Sequence, residues 1–249
     1  MPLKCTEVPD DALIWRYMDL ASFLFLLQRS QLALRRVDTF EDHFEGHLPK
    51  ALELQVKDQE SRQKQLETRL ALHYMRQHTH VVCWNVSEQE CYAMWKIYGR
   101  EQNSVCINTT VHRLKTAMKA VDQRMDLVKI HYIDMTANNI ESEVRVNNVN
   151  FKDISFQYEQ EVRLLANCIE PSEMESYTHS RHSALEDFEP PIFQAFDVDL
   201  DALIQNIYVN PNAGEHLPEI IHNLCETYHG DIQLQDRLQP SRFLWEPEF

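Results

Sequence analysis

Two glutamates and an arginine, Glu159, Glu161 and Arg163, stand at alternate positions in the stretch YEQEVRLL (158–165). Val162, Leu164 and Leu165 favour an extended strand, in which residues two apart share a face, so the spacing predicts that all three side chains line one side. One carboxylate can then orient a polar group of a substrate while its neighbour stabilises positive charge developing nearby. The plainer alternative is a solvated strand face with cross-strand ion pairs. A second arginine, Arg16, interrupts the otherwise apolar ALIWRYMD (12–19). A guanidinium in such a run pairs with a buried acid or is presented to a ligand, and its planar fork suits a carboxylate or phosphate. Tyr17, next along the strand, is expected on the opposite side.

The segment CWNVSEQECYAMWKIYG (83–99) gathers Trp84, Tyr92, Trp95 and Tyr98 around a strand-to-helix turn. An aromatic core cluster accounts for them, and a flat base or nicotinamide ring stacked there is the functional alternative. Asn85 and Ser87, at the end of the strand, can add hydrogen bonds. Asp42, His43, Glu45 and His47 crowd TFEDHFEGH (39–47), but Gly46 and Pro49 oppose the helix that two histidines four apart need for a metal. His179 and His182 lie in a polar loop without cysteine partners, and no metal is predicted.

Elements must bring these residues together. ALIWRYMD reads as a first strand, LASFLFLLQ (20–28) as a helix, and LALRRV (32–37) as a second strand. Residues 52–78 form a helical excursion without Gly or Pro. HVVCWNV (80–86) is the next strand, followed by a helix capped by Ser87 with Glu90 in a capping box and closed by Gly99. SVCINTT (104–110), MDLVKIHYIDM (125–135) and the 161–165 region add strands, with a helix over 110–123 between the first two and an asparagine-rich loop insertion at 136–150. IFQAFDVDLDALIQNIYVNPNA (192–213) supplies two strands, His216–Tyr228 a helix and DIQLQDRLQ (231–239) a last strand. The expected fold is α+β, with a mixed, mostly antiparallel split sheet and flanking helices in a single domain, 1–249.

Composition narrows the function. Acids outnumber bases 39 to 24, a formal charge of −15, which disfavours nucleic acid as a partner. Arg29, Arg35 and Arg36 form a local basic cluster best read as a solvated face. Four glycines leave no phosphate-binding glycine loop. Six cysteines without a C-x-x-C pair are expected to be reduced, which points to the cytoplasm. The opening MPLKCTEVPDD shows no export signal, and ASFLFLL is too short to cross a bilayer, so no membrane association is expected.

The ordered set WRYMD, FEDHFEG, CWNVSEQECYAMWKIYG, SVCINTT, VKIHYID, FQYEQEVRLL and IYVNPNA resembles the bacterial family of unknown function numbered 2971, over residues 12–241. A weaker resemblance is to the ADP-ribosyltransferase superfamily of the arginine-first type. Arg16 looks like its first-strand arginine, Cys83-Trp84-Asn85 stands where its Ser-Thr-Ser would be, and Glu159-Gln160-Glu161 matches its E-x-E. That likeness implies an ADP-ribosyltransferase or NAD glycohydrolase with NAD as substrate and a protein as acceptor, in the manner of a toxin or defence effector. Glu161 would stabilise the ribosyl cation and Glu159 would orient the acceptor. Arg16 would hold the phosphates, Trp95 or Tyr98 would pack on nicotinamide, and Tyr17, Asn85 and Arg163 would complete the pocket. The alternatives are a non-catalytic nucleotide- or protein-binding module, favoured by the missing Ser-Thr-Ser, and a metal-dependent nuclease using Asp42, Glu159 and Glu161.

Overall fold

Large apolar residues run almost unbroken through Leu13–Asp19 (β1), interrupted only by Arg16, and the strand ends where Asp19 caps the helix Leu20–Arg29 (α1), its side chain accepting from Ser22 N at 2.6 Å. Ser30 then adopts positive φ (49°) and reverses the chain into Gln31–Arg36 (β2). The structure is a computed structural model and describes residues 7–42, 44–58, 61–99, 102–121, 125–139, 148–167 and 190–244. His43, His179, His182 and the middle of the 136–150 insertion lie outside these residues.

After two helices, Lys50–Lys57 (α2) and Arg62–His78 (α3), come Thr79–Val86 (β3), Tyr92–Tyr98 (α4), Ser104–Thr110 (β4) and Val111–Ala117 (α5). The strands Met125–Lys129 (β5), His131–Ile133 (β6), Phe151–Asp153 (β7), Glu161–Asn167 (β8) and Phe193–Asp197 (β9) follow. Leu200–Leu203 (α6), Asn206–Val209 (β10), Leu217–His229 (α7) and Leu238–Gln239 (β11) complete the described chain. Nine strands form one open sheet with the path β11-β10-β4-β1-β3-β2-β9, and β8 and β5 continue from the other edge of β3. All of its ladders are antiparallel except β10 with β11. The fold is therefore mixed, with a mostly antiparallel sheet that holds strands from both ends of the chain. β6 and β7 make a separate parallel pair.

β8 runs along one edge of β3 from Thr79 to Asn85. The other edge is shared: β1 meets it at Asn85 and Val86, and β2 meets it at His80 and Val81. The sheet forks there. One face of the sheet carries the main core, in which Ile14, Met18, Trp84, Ile107, Val162 and Leu164 pack with α1, α5 and α7. The opposite face holds two smaller clusters, one around Trp15, Tyr17, Trp95 and Cys106 and one around Val37, Val81, Val149 and Leu165.

Four expectations about the elements are corrected. Helix α4 begins only at Tyr92, with Cys91 at its N-cap, and Ser87 bonds Gln89 instead of capping it. The 52–78 excursion is two helices. Residues 125–135 make two strands, because the chain stays on β8 as far as Ile130, whose backbone N–H donates to Glu161 O at 3.0 Å, and then pairs with β7 over His131–Ile133. The terminal segment is mostly 3-10 turns, with only Leu238–Gln239 paired.

Candidate functional site

Glu159 and Glu161 do meet, but not along a strand. The chain from Ile154 to Glu159 is a 3-10 helix that Gln160 ends with positive φ (43°), and β8 begins at Glu161. A positive φ in a non-glycine residue is uncommon and carries a local cost. The reversal swings Glu159 back over the strand, so that both carboxylates reach the Nζ of Lys152 on β7. Lys152 bonds Glu159 Oε2 closely and lies 3.3 Å from Glu161 Oε2.

Arg163 leaves the same face of β8 as Glu161. Its Nε donates to Glu161 Oε1 at 2.6 Å, and one terminal nitrogen reaches Glu161 Oε2 at 3.1 Å and Glu45 Oε2 at 2.9 Å. The other terminal nitrogen bonds Glu45 Oε1 and, at 3.1 Å, Val149 O. A guanidinium has five N–H donors, and here all five are used inside the protein. Arg163, Glu45, Glu159, Glu161 and Lys152 are all buried. Charges withdrawn from water to this extent are tolerable only when paired and hydrogen-bonded.

The neighbours complete the enclosure. Tyr98 donates its hydroxyl to Glu159 Oε1 while its ring stays 43% exposed. Asn85 donates from Nδ2 to Glu159 O at 2.6 Å, and its Oδ1 is buried without a hydrogen-bond partner among the described residues. Glu161 N–H donates to the Tyr132 hydroxyl at 2.8 Å, and Cys83, which faces Arg163 across the β3–β8 ladder, lies on the same face of the sheet.

Two cations thus face three carboxylates, and the carboxylates respond differently. Burial opposes ionisation of Glu161, but the Arg163 guanidinium and the Lys152 ammonium outweigh it and hold the acid at about 2. Burial pushes Glu159 above its usual range, although Lys152 and Tyr98 pull the other way. Burial and Glu161 push the Cys83 thiol well up, so Cys83 stays protonated. Burial likewise raises the Tyr98 hydroxyl.

The remaining candidates lie elsewhere. β1 and β3 face each other at Trp15 and Asn85, and β3 and β8 at Asn85 and Glu161, so Trp15, Asn85 and Glu161 share a face and Arg16 points to the other. Arg16 is half-buried in the fork, where one terminal nitrogen donates to Cys83 O at 3.2 Å, and burial lowers its proton affinity. The structure therefore does not bring Arg16 to the glutamates. Tyr17 is buried, its hydroxyl accepting from Cys91 N at 2.8 Å and its ring edge-on to Trp95 at 4.9 Å. Trp95 is 1% exposed and donates Nε1 to Glu90 Oε1 at 2.5 Å. Of the two rings expected against nicotinamide, only Tyr98 is open to a ligand. In the basic cluster, Arg36 is buried against Asp38 at 2.7 Å, and Arg35 bonds Thr39 at 3.0 Å, so neither is a solvated charge.

Two partners escaped the sequence reading. Lys152 is the sole basic residue between Arg145 and Arg163, and that isolation beside two glutamates was the available signal. Glu45 gave no such signal as a partner of Arg163, because 118 positions separate them.

No helix among the described residues is long and apolar enough to cross a membrane. No curated protein and no solved structure matches the chain. Residues 94–164, which carry Tyr98, Lys152 and the Glu159–Arg163 run, match the family described as a protein of unknown function (DUF2971), the family that the ordered motifs resemble.

Proposed function

We propose that this chain is a nucleotide-binding module that holds its ligand without consuming it. The observation that carries this reading is the saturation of the ion cluster: every donor of Arg163 is used, and both oxygens of Glu161 are engaged and 3% exposed. Such a network fastens the groups above it. What it fastens is Tyr98, an exposed ring tied down by its hydroxyl, with Tyr158, 46% exposed, adjoining Glu159 in the chain. Rings held this way offer a flat face to a base or nicotinamide.

The second reading is the NAD-consuming one, an ADP-ribosyltransferase-like enzyme or NAD glycohydrolase of the toxin or defence type. The opposite tuning of Glu159 and Glu161 favours it, because two carboxyl groups whose proton affinities are pushed apart, one upward and one downward, are the arrangement that glycosyl transfer uses. A metal-dependent nuclease is disfavoured, since Lys152 and Arg163 already occupy the space between the carboxylates that bridging cations would need.

Titration calorimetry of the protein with NAD and ADP-ribose, combined with an assay for free nicotinamide, separates the readings. The binding module predicts saturable binding and no nicotinamide. Sustained nicotinamide release, lost in Glu159→Gln, would overturn it in favour of the enzyme.

A further inference from the structure

The two helices of the excursion do not close on an apolar seam. Glu53, Val56 and Lys57 recur at helical spacing on α2, and Arg69, Leu72, His73 and Arg76 do so on α3, so each set shares one face of its helix. Together with the loop 46–48 these faces line a hollow of about 280 Å³. Where one helix face meets another, apolar residues are the rule. Here the lining carries Lys57, Arg69, Arg76, His47 and His73, and Glu53 is its single acid.

This gathering of cations runs against the charge of a chain at −15. Like charges converging on one hollow repel each other, and a local positive field in an acidic molecule selects and concentrates anions. The Arg76 stem lies on Gly46, where an added Cβ would stand 2.9 Å from Arg76 Cγ and 2.7 Å from Val37 Cγ1. Glycine therefore lets the arginine lie flat against the loop. Arg76 Nε is buried there and has no hydrogen-bond partner among the described residues. Burial and the Arg76 charge hold His47 below its usual range, with His73 adding to the effect and Glu53 and Asp42 opposing it.

We propose that this hollow binds the phosphate group of a small phosphate ester. The guanidiniums of Arg69 and Arg76 and the ammonium of Lys57 supply three cations to a dianion, and charge-assisted hydrogen bonds from guanidinium to phosphate are among the strongest a surface can make. Leu48, Val56 and Leu72 provide apolar wall for the group that carries the phosphate. The volume lies just under the roughly 300–1,000 Å³ of pockets for drug-sized ligands, which fits a compact ester. The hollow borders the glutamate cluster through Glu45, which precedes Gly46 and, with Asp38, acts on the Arg76 charge, but the proposal does not depend on the reading given to that cluster.

Calorimetric titration of the full chain at constant ionic strength, with inorganic phosphate, ribose 5-phosphate and ribose, tests this directly. Both phosphates should bind, the ester more tightly, and ribose should not. Arg69→Gln, at an exposed position, should weaken ribose 5-phosphate roughly tenfold without changing the melting temperature, as expected for one lost charge-assisted bond. Lys64→Gln, elsewhere on α3, should change nothing. Bound phosphate should also raise the titration midpoint of His47 followed by its ring-proton resonance. Absence of binding at millimolar ester, equal affinity in Arg69→Gln and the parent, or an equal loss in Lys64→Gln would each overturn the proposal.

Discussion

Arg163 grips Glu161 from two residues along the same strand, with Nε on one carboxylate oxygen at 2.6 Å and a terminal nitrogen on the other at 3.1 Å. The same guanidinium holds Glu45 from the opposite side. Arg163→Ala would strip Glu45 of its cation and leave Glu161 to share Lys152 with Glu159, and breaking a buried pair this way costs about 3–5 kcal/mol. Urea denaturation should show that loss as a lower midpoint. Arg163→Lys restores charge without the fork and should recover only part of it.

The pH dependence of stability separates the two glutamates. Glu161 titrates at about 2 in the folded chain against 4.5 for a free side chain, so its contribution is fully present above about 4.5 and is lost as pH falls towards 2. Glu159 is shifted upward, so its contribution has the opposite sign: present below the free value and lost as pH rises through the raised one. Glu159→Gln mimics the protonated acid and should flatten the alkaline side of the stability profile. Denaturant midpoints from pH 3 to pH 8 in the parent and the variant check both slopes.

Tyr98 has two separable parts. Tyr98→Phe keeps the exposed ring and removes the donor to Glu159, which should cost about 1–3 kcal/mol of stability while nucleotide affinity survives. Tyr98→Ala removes the ring as well and should weaken affinity by a further 1–3 kcal/mol or so per stacked base. Calorimetry on the two variants distinguishes anchor from platform.

Arg16→Met tests whether the first-strand arginine serves a ligand or the fork. The side chain keeps its length and apolar stem but abandons Cys83 O. Stability should fall by about 1–3 kcal/mol and affinity for NAD or ADP-ribose should not change. A selective loss of affinity would return Arg16 to the ligand.

Gly46→Ala should be costly for a local reason. The residue has φ of 68°, and the new methyl would press on Val37 and Arg76 at 2.7 and 2.9 Å. A penalty above roughly 1 kcal/mol is expected in thermal or urea unfolding.

Much of the framework was legible from periodicity. β1, α1, β3, β4 and α7 appear close to where apolar runs or helical spacing put them, because the three strands are buried on both faces and so are apolar almost throughout, while each helix buries a single stripe. Helix α4 was overextended because Ser87 and Glu90 fit a capping pattern, whereas Glu90 is drawn to more distant partners: Trp95, the Ser241 hydroxyl at 2.7 Å and Arg242 N at 2.9 Å. The E-x-E spacing located two residues that do converge, yet for the wrong reason. Strand alternation would have set them about 7 Å apart along one face, and the left-handed turn at Gln160 is what folds them onto Lys152. Arg16 stood out as a misfit in an apolar strand, which it is, but nothing local distinguishes a guanidinium that serves a ligand from one that serves a neighbouring carbonyl.

The fork has a consequence for assembly. Three strands hang on the backbone of β3, and a slip of one residue by any of them would turn its side chains to the wrong layer. Because β1 and β2 are linked through α1 and grip β3 at its two ends, neither can shift without dragging the other. The central strand is thereby indexed from both sides, like a ruler clamped at three marks.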